Sequence, residues 1–236
     1  YFGKSPCTME GNISDFARPE PNIYTAYMKV QPVRDDVVWL LGEKTFNDMD
    51  FRGVSLLTLS GKGPDSAFRI KAHWDLTDAA YAFPGVLEKP RSGKNQFTAD
   101  LVIDDQAVDF TSFKHVMPPV TITGKMMLRY EGDSPASFTI QSGTVDIREA
   151  TPLLPLLKKF DPTGTAKISV AGRGNLNEPS SLQWNGNIAL KNVSLAVSDK
   201  FSRVQGLTGS LSFKNRSMQT SLFRTQIGRG KIQGNF

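Results

Sequence analysis

One cysteine, Cys7, stands in 236 residues, so neither an intrachain disulfide nor a thiolate metal cluster can form. Only two histidines occur, His73 and His115, and no histidine or carboxylate is spaced to make a metal site with either. No Ser/His/Asp or Cys/His nucleophile system can be assembled, since Cys7 sits beside Pro6 in a loop-like terminus. Asp35-Asp36 and Asp104-Asp105 are poor acid/base pairs, because neighbours on a strand point to opposite faces. A helix cap and a turn explain them better. Long apolar runs are missing as well. Val37 to Leu41 is among the longest, far below the ~20 residues that cross a bilayer. Gly61-Lys62-Gly63, Gly172-Arg173-Gly174 and Gly228-Arg229-Gly230 lack the Lys-Ser/Thr of a phosphate-binding loop and the density of an RNA-binding Gly-Arg tract. They read as turn geometry. These absences argue against an enzyme, and no cofactor or metal is expected.

What is present is a chain of moderate hydropathy. Apolar residues make up 39% and the mean hydropathy is −0.29, too apolar for disorder and too polar for a membrane span. The net charge of +5 is carried by Lys and Arg at alternating positions such as Arg69 and Lys71, as on the solvated face of a sheet. No nucleic-acid partner is expected. The chain starts at Tyr1 without Met and ends on Gly234-Asn235-Phe236 inside a strand pattern, so it reads as a segment of something longer.

One pattern occurs twice. Residues 50–63 and 161–174 align without a gap: Asp50 with Asp161, Gly53 with Gly164, Leu57 and Leu59 with Ile168 and Val170, and Gly61-Lys62-Gly63 with Gly172-Arg173-Gly174. A short helical stretch precedes each copy, Arg34–Leu41 and Thr151–Phe160. Asp35 or Asp36 is expected to cap the first helix, and Thr151, with Pro152 behind it, the second. A long alternating strand carrying a tryptophan follows each copy, Phe68–Leu76 with Trp74 and Leu182–Leu190 with Trp184. The unit is helix, strand, glycine turn, strand. It divides the chain into residues 1–33, a strand or linker region, a first unit at 34–148, and a second at 149–236.

Most of the remainder also alternates. Val120, Ile122, Met126, Leu128 and Tyr130 form one series, and Ala136, Phe138 and Ile140 the next. Phase shifts at Ser142-Gly143, and between Leu190 and Val193, predict a bulge or tight turn at each. About fourteen strands side by side at ~4.8 Å give a sheet roughly 65 Å wide. The fold class is therefore all-β and mainly antiparallel: an elongated, twisted sheet, one face apolar, with two short capping helices. It forms a groove or a partly closed sandwich. A second sheet would close the apolar face, whereas an open trough would present it to an apolar, elongated ligand.

Residues 164–236 bring a family into view. Gly172-Arg173-Gly174 leading into Gly186-Asn187-Ile188-Ala189-Leu190-Lys191-Asn192-Val193, then Val204-Gln205-Gly206-Leu207-Thr208-Gly209, and the closing Ile227-Gly228-Arg229-Gly230-Lys231-Ile232, resemble the AsmA-like proteins of Gram-negative bacteria, which include TamB-like and YhdP-like members. Trp74-Asp75-Leu76-Thr77-Asp78-Ala79, with Lys89-Pro90 and Gly93, is similar to internal segments of that family. The resemblance implies a periplasmic protein of repeating β-groove units, tethered to the inner membrane through a segment outside this chain. It implies phospholipid as ligand, inner- and outer-membrane components as partners, and a part in moving lipid toward the outer membrane. The groove floor would then be Leu57, Leu59, Phe68, Ile70, Trp74, Leu76, Ile122, Met126, Leu128, Phe138, Ile140, Ile168, Val170, Leu182, Trp184, Ile188, Leu190, Leu211 and Phe213. The alternative is that these residues touch only each other, in the closed core of a structural or protein-binding scaffold.

Overall fold

The computed structural model describes residues 3–14, 22–41, 46–131, 135–175, 178–197, 203–215, 217–221 and 223–234. Strand accounts for 65% and helix for 11%, so the class is all-β, as the alternation predicts. Thirteen strands run in one antiparallel path: β1 (Cys7–Ser14), β2 (Ile23–Val30), β4 (Leu56–Gly63), β5 (Phe68–Asp75), β8 (Gln96–Ile103), β9 (Ala107–Met117), β10 (Val120–Arg129), β11 (Ala136–Ser142), β13 (Thr163–Gly174), β14 (Gln183–Leu195), β15 (Val204–Lys214), β17 (Phe223–Ile227) and β18 (Gly230–Gly234). β12 (Val145–Asp146) and β16 (Ser217–Thr220) join it by pairing with β13 and β15. At ~4.8 Å per spacing the path is roughly 58 Å across. The sheet is not closed into a barrel. β3 (Asp50–Gly53), β6 (Ala79–Phe83) and β7 (Leu87–Lys89) form a separate small sheet. Before residue 34 the described residues hold two strands of the large sheet: β1 pairs antiparallel with β2, and β2 pairs with β4.

The internal repeat survives in backbone conformation. Gly53 and Gly164 have φ +91° and +95°, and Gly63 and Gly174 have φ +149° and +142°. Each repeat is one long hairpin. In the second unit it stays whole as β13 and β14, with register shifts at Thr163/Thr165 and Leu190/Val193. In the first unit the same hairpin divides. Residues 56–63 and 68–75 remain in the large sheet, while 50–53 and 79–83 leave it to form the small one. The two units share a single sheet, joined where β11 pairs with β13.

A core forms where the small sheet and helix α1 (Arg34–Leu41) cover one end of the large sheet. It comprises Val37, Val38, Met49, Phe51, Leu76 and Ala79, with Trp74, Tyr81 and Phe83 packed against it. Trp74 is held there by a hydrogen bond from its indole Nε1 to Ser55 Oγ, 3.0 Å. Lys89 is 4% exposed. Its ammonium donates to the carbonyls of Leu76 (3.0 Å), Thr77 (2.7 Å) and Ala79 (2.6 Å), tying β7 to the turn between β5 and β6. Burial pushes its pKa below the ordinary lysine value, opposed by Asp78 and Asp75.

Several expectations are corrected. Neither Asp35 nor Asp36 caps α1, because both lie within its first turn. Asp36 instead accepts from the backbone of Lys4 (2.9 Å) and Ser5 (2.7 Å) and from the Ser5 hydroxyl, and so fastens Lys4 and Ser5 to the helix. Those bonds, the hydroxyl's first, hold its carboxyl below the usual range. The single helix expected over 151–160 is broken into turns. Helix α2 (Ile147–Ala150) is capped by Asp146, a 3-10 turn covers Thr151–Leu153, and α3 (Pro155–Lys158) restarts at Pro155. Pro155 stands at a helix start, where its missing N–H is harmless. Of the three Gly-Lys/Arg-Gly segments, only Gly228-Arg229-Gly230 lies at a hairpin turn, with Ile227 paired to Gly230. The other two end strands β4 and β13. Both expected phase shifts prove to be register shifts, at 142–145 against β13 and at 190–193 against β15. Asp104 makes the expected turn, its carboxylate accepting from the amides of Gln106 and Ala107.

Candidate functional site

Residues paired across antiparallel strands share a face, so the register traces which side chains lie together. One row runs Val30, Leu57, Trp74, Phe97, His115, Ile122, Ser142. It resumes on β13 with Ile168, Ile188 and Leu211. The next row is Met9, Met28, Leu59, Ala72, Ala99, Phe113, Gly124, Ile140, Val170, Gly186, Phe213, Met218. A third is Gly11, Ala26, Gly61, Ile70, Leu101, Phe110, Met126, Phe138, Gly172, Trp184. Leu128 and Ala136 belong to a fourth, as do Tyr24 and Gly63. Phe68, two residues from Ile70, shares the face, and Leu190 joins it through Ala166 and Gly209. No Lys, Arg, Asp or Glu stands in these rows. The opposite face carries the charge: Lys29, Lys71, Asp100, Lys114, Lys125, Arg173 and Lys214 all occupy the alternate positions.

Seventeen of the nineteen floor residues inferred from alternation therefore share one face of the sheet. Leu76 does not belong with them: it lies just past β5, 7% exposed, inside the core under α1. Leu182 precedes β14 and lies against Gly174. The two tryptophans differ in setting. Trp74 belongs to the core's margin, whereas Trp184 is 48% exposed and meets Phe213 edge-on, ring centroids 5.8 Å apart. Alternation missed Phe97, Ala99, Leu101, Phe110 and Phe113 on the same face. For Phe110 and Phe113 the reason is local: β9 holds one residue more than either neighbour around Thr111–Ser112, which reverses its phase midway. β8 alternates without a break, so the period-two signal for Phe97, Ala99 and Leu101 is present in the sequence.

The rows are smoothed by a recurring pair. A phenyl ring lies over a glycine of the adjacent strand four times: Phe68 over Gly61, Phe113 over Gly124, Phe138 over Gly172 and Phe213 over Gly186. A Cβ added to any of these glycines would stand 2.4–2.5 Å from the ring. The aromatic covers backbone that glycine leaves bare, and the ring lies flat instead of standing off the sheet.

Burial divides the face. Toward β2–β10 the caps roof one rim, and Val30, Leu76 and Met117 are buried there. That rim also holds a polar cluster. Asn95, fully buried, donates to Tyr81 Oη (2.8 Å), and its Oδ1 lies 2.6 Å from His115 Nε2, which donates to it. Burial lowers the imidazole pKa of His115 and raises the phenol pKa of Tyr81. From Leu154 onward Val193 is the one buried hydrophobic among the described residues, while Ile168, Trp184, Met218, Ile227 and Ile232 are 38–67% exposed. Among the described residues no three His, Cys, Asp or Glu side chains gather as a metal site, and no helix is long and apolar enough to cross a membrane. No family model, curated protein or solved structure matches the chain.

Proposed function

We propose that this chain binds phospholipid acyl chains along the uncharged face of its large sheet, without catalysis, as a segment of an AsmA-like periplasmic protein that supports lipid transport between the inner and outer membranes. The observation that carries the reading is an uncharged surface from β2 to β15 whose apolar side chains stay partly exposed, save for a few such as Val30, Ala99, Leu101 and Ala136. Soluble proteins rarely leave contiguous apolar patches beyond a few hundred Å² without a partner to cover them. An acyl chain suits such a surface: each buried CH₂ is worth ~0.8 kcal/mol, and the contacts are non-directional, so a chain can slide. Since α1 and the small sheet roof one rim, headgroups emerge at the other, where Tyr24, Leu128 and Ala136 stand. The tether and the membrane partners lie outside this chain in this reading.

Native mass spectrometry of the purified protein, with organic extraction of what accompanies it, tests the proposal. Bound phospholipid is expected, and Ile188→Asp is expected to remove it while the protein stays folded. Leu76→Asp is the folding control, since an unpaired buried charge costs several kcal/mol. A lipid-free mass, with Ile188→Asp unfolding the protein as Leu76→Asp does, would show a closed scaffold instead.

A further inference from the structure

The polar face is not featureless. Two depressions open on it, of about 610 and 380 Å³. The larger surrounds the bulge of β9, where the extra residue sharpens the local twist and dishes the sheet. Lys71, Lys114 and Lys125 line it, with Asp100 and a set of threonine and serine hydroxyls. Lys71 lies 3.8 Å from Asp100, which also accepts from Ser112 Oγ at 3.2 Å. That pairing neutralises one lysine. Lys114 and Lys125 form no ion pair with a described residue. The smaller depression is lined by Arg173, Lys214 and the amides of Gln183 and Asn185, with no acid. Lys125 and Lys214 stand in one cross-strand row, through Thr139, Ala171 and Asn185. Four spacings separate them, roughly 19 Å.

We propose that the polar face binds an elongated, water-soluble oligophosphate, with one phosphate seated between Lys114 and Lys125 and another at Arg173 and Lys214. Ammonium and guanidinium groups backed by hydroxyls and amides supply charge-assisted donors, the chemistry that phosphate oxygens require. Two hollows in one row call for a linear anion that reaches both, and linking the two contacts raises affinity through effective concentration. A single-stranded nucleic acid would need aromatic platforms, and the rings nearest the hollows, Phe113 and Trp184, point to the opposite face. The site is independent of the lipid reading, since it lies on the other side of the sheet.

Titration calorimetry with pyrophosphate and with linear polyphosphate of defined length, at low and physiological salt, is the test. A polyphosphate long enough to span both hollows is expected to bind at least about tenfold more tightly than pyrophosphate, with affinity falling as salt rises. The double variants Lys114→Gln/Lys125→Gln and Arg173→Gln/Lys214→Gln, at exposed positions, are each expected to fold normally and to lose about tenfold for the long chain. Lipid co-purification is expected to be unchanged in both. Equal affinity for short and long phosphates, or variants that bind like wild type, would overturn the proposal. So would absence of phosphate binding alongside capture of anionic phosphatidylglycerol vesicles or of a single-stranded oligonucleotide.

Discussion

At the residue scale, the glycine–phenyl pairs make the sheet's uncharged face smooth, and they differ in how rigidly each glycine is required. At Gly124 an added Cβ would meet the Thr139 carbonyl at 2.3 Å and the Phe113 ring at 2.5 Å. At Gly172 the three nearest atoms all belong to the Phe138 ring, which can rotate away. Gly124→Ala is therefore expected to destabilise by roughly 1–3 kcal/mol in urea unfolding, the range of overpacked sites, and Gly172→Ala by clearly less. His115 gives a pH dependence whose sign follows from its setting. Its neutral imidazole donates to Asn95, and burial lowers its pKa from the usual 6.5. Between the folded pKa and 6.5 the unfolded chain binds a proton that the folded chain refuses. Stability should thus fall as pH drops below about 6.5, until the folded pKa is passed. His115→Gln, which cannot titrate, should remove that part of the dependence in melts recorded across this range.

At the element scale, the repeated hairpin is used in two ways. In the first unit its inner end leaves the large sheet and, with β7 and α1, becomes a lid over a small core. In the second it stays within the large sheet, with register shifts near Gly164 and Asn192, and leaves its apolar side open. The lid depends on Lys89, whose ammonium satisfies three carbonyls at the point where β5 gives way to β6. Lys89→Met keeps much of the side chain's length and apolar stem but removes every donor. It should cost roughly 2–4 kcal/mol, since buried carbonyls left unpaired cost about 1–3 kcal/mol each and the Leu76 carbonyl retains its bond from Ala79. Urea unfolding measures the loss.

At the scale of the whole molecule, stability is unevenly distributed. The buried side chains concentrate in residues 30–153, and the sheet beyond depends on cross-strand pairs with one face uncovered. Hydrogen exchange should therefore be fastest in β15–β18 and slowest in β5 and β8, the strands under the lid. If acyl chains cover the open face, phospholipid in detergent should slow exchange in β13–β15 more than in β1. Equal protection at both ends, with or without lipid, would contradict a ligand seated on that face.

Much of this was written in the sequence, because a period of two is a local property. Alternation places Ile168, Val170, Ile188 and Leu211 on one face whatever the strands later pair with, and the matched glycines at 53 and 164 marked a repeated hairpin before any pairing was known. What alternation could not carry was phase across a defect: one extra residue near Thr111 puts Phe110 and Phe113 on one face although their spacing in sequence is odd. Nor could it distinguish the two copies. Whether a hairpin splits into a lid or runs on as open sheet depends on what it meets in space. Met49, Phe51 and α1 gather over Leu76 in the first unit, and among the described residues no such cluster covers Ile188 in the second. Burial is a relation between distant segments. Only the tertiary structure could decide which apolar residues became core and which were left facing outward.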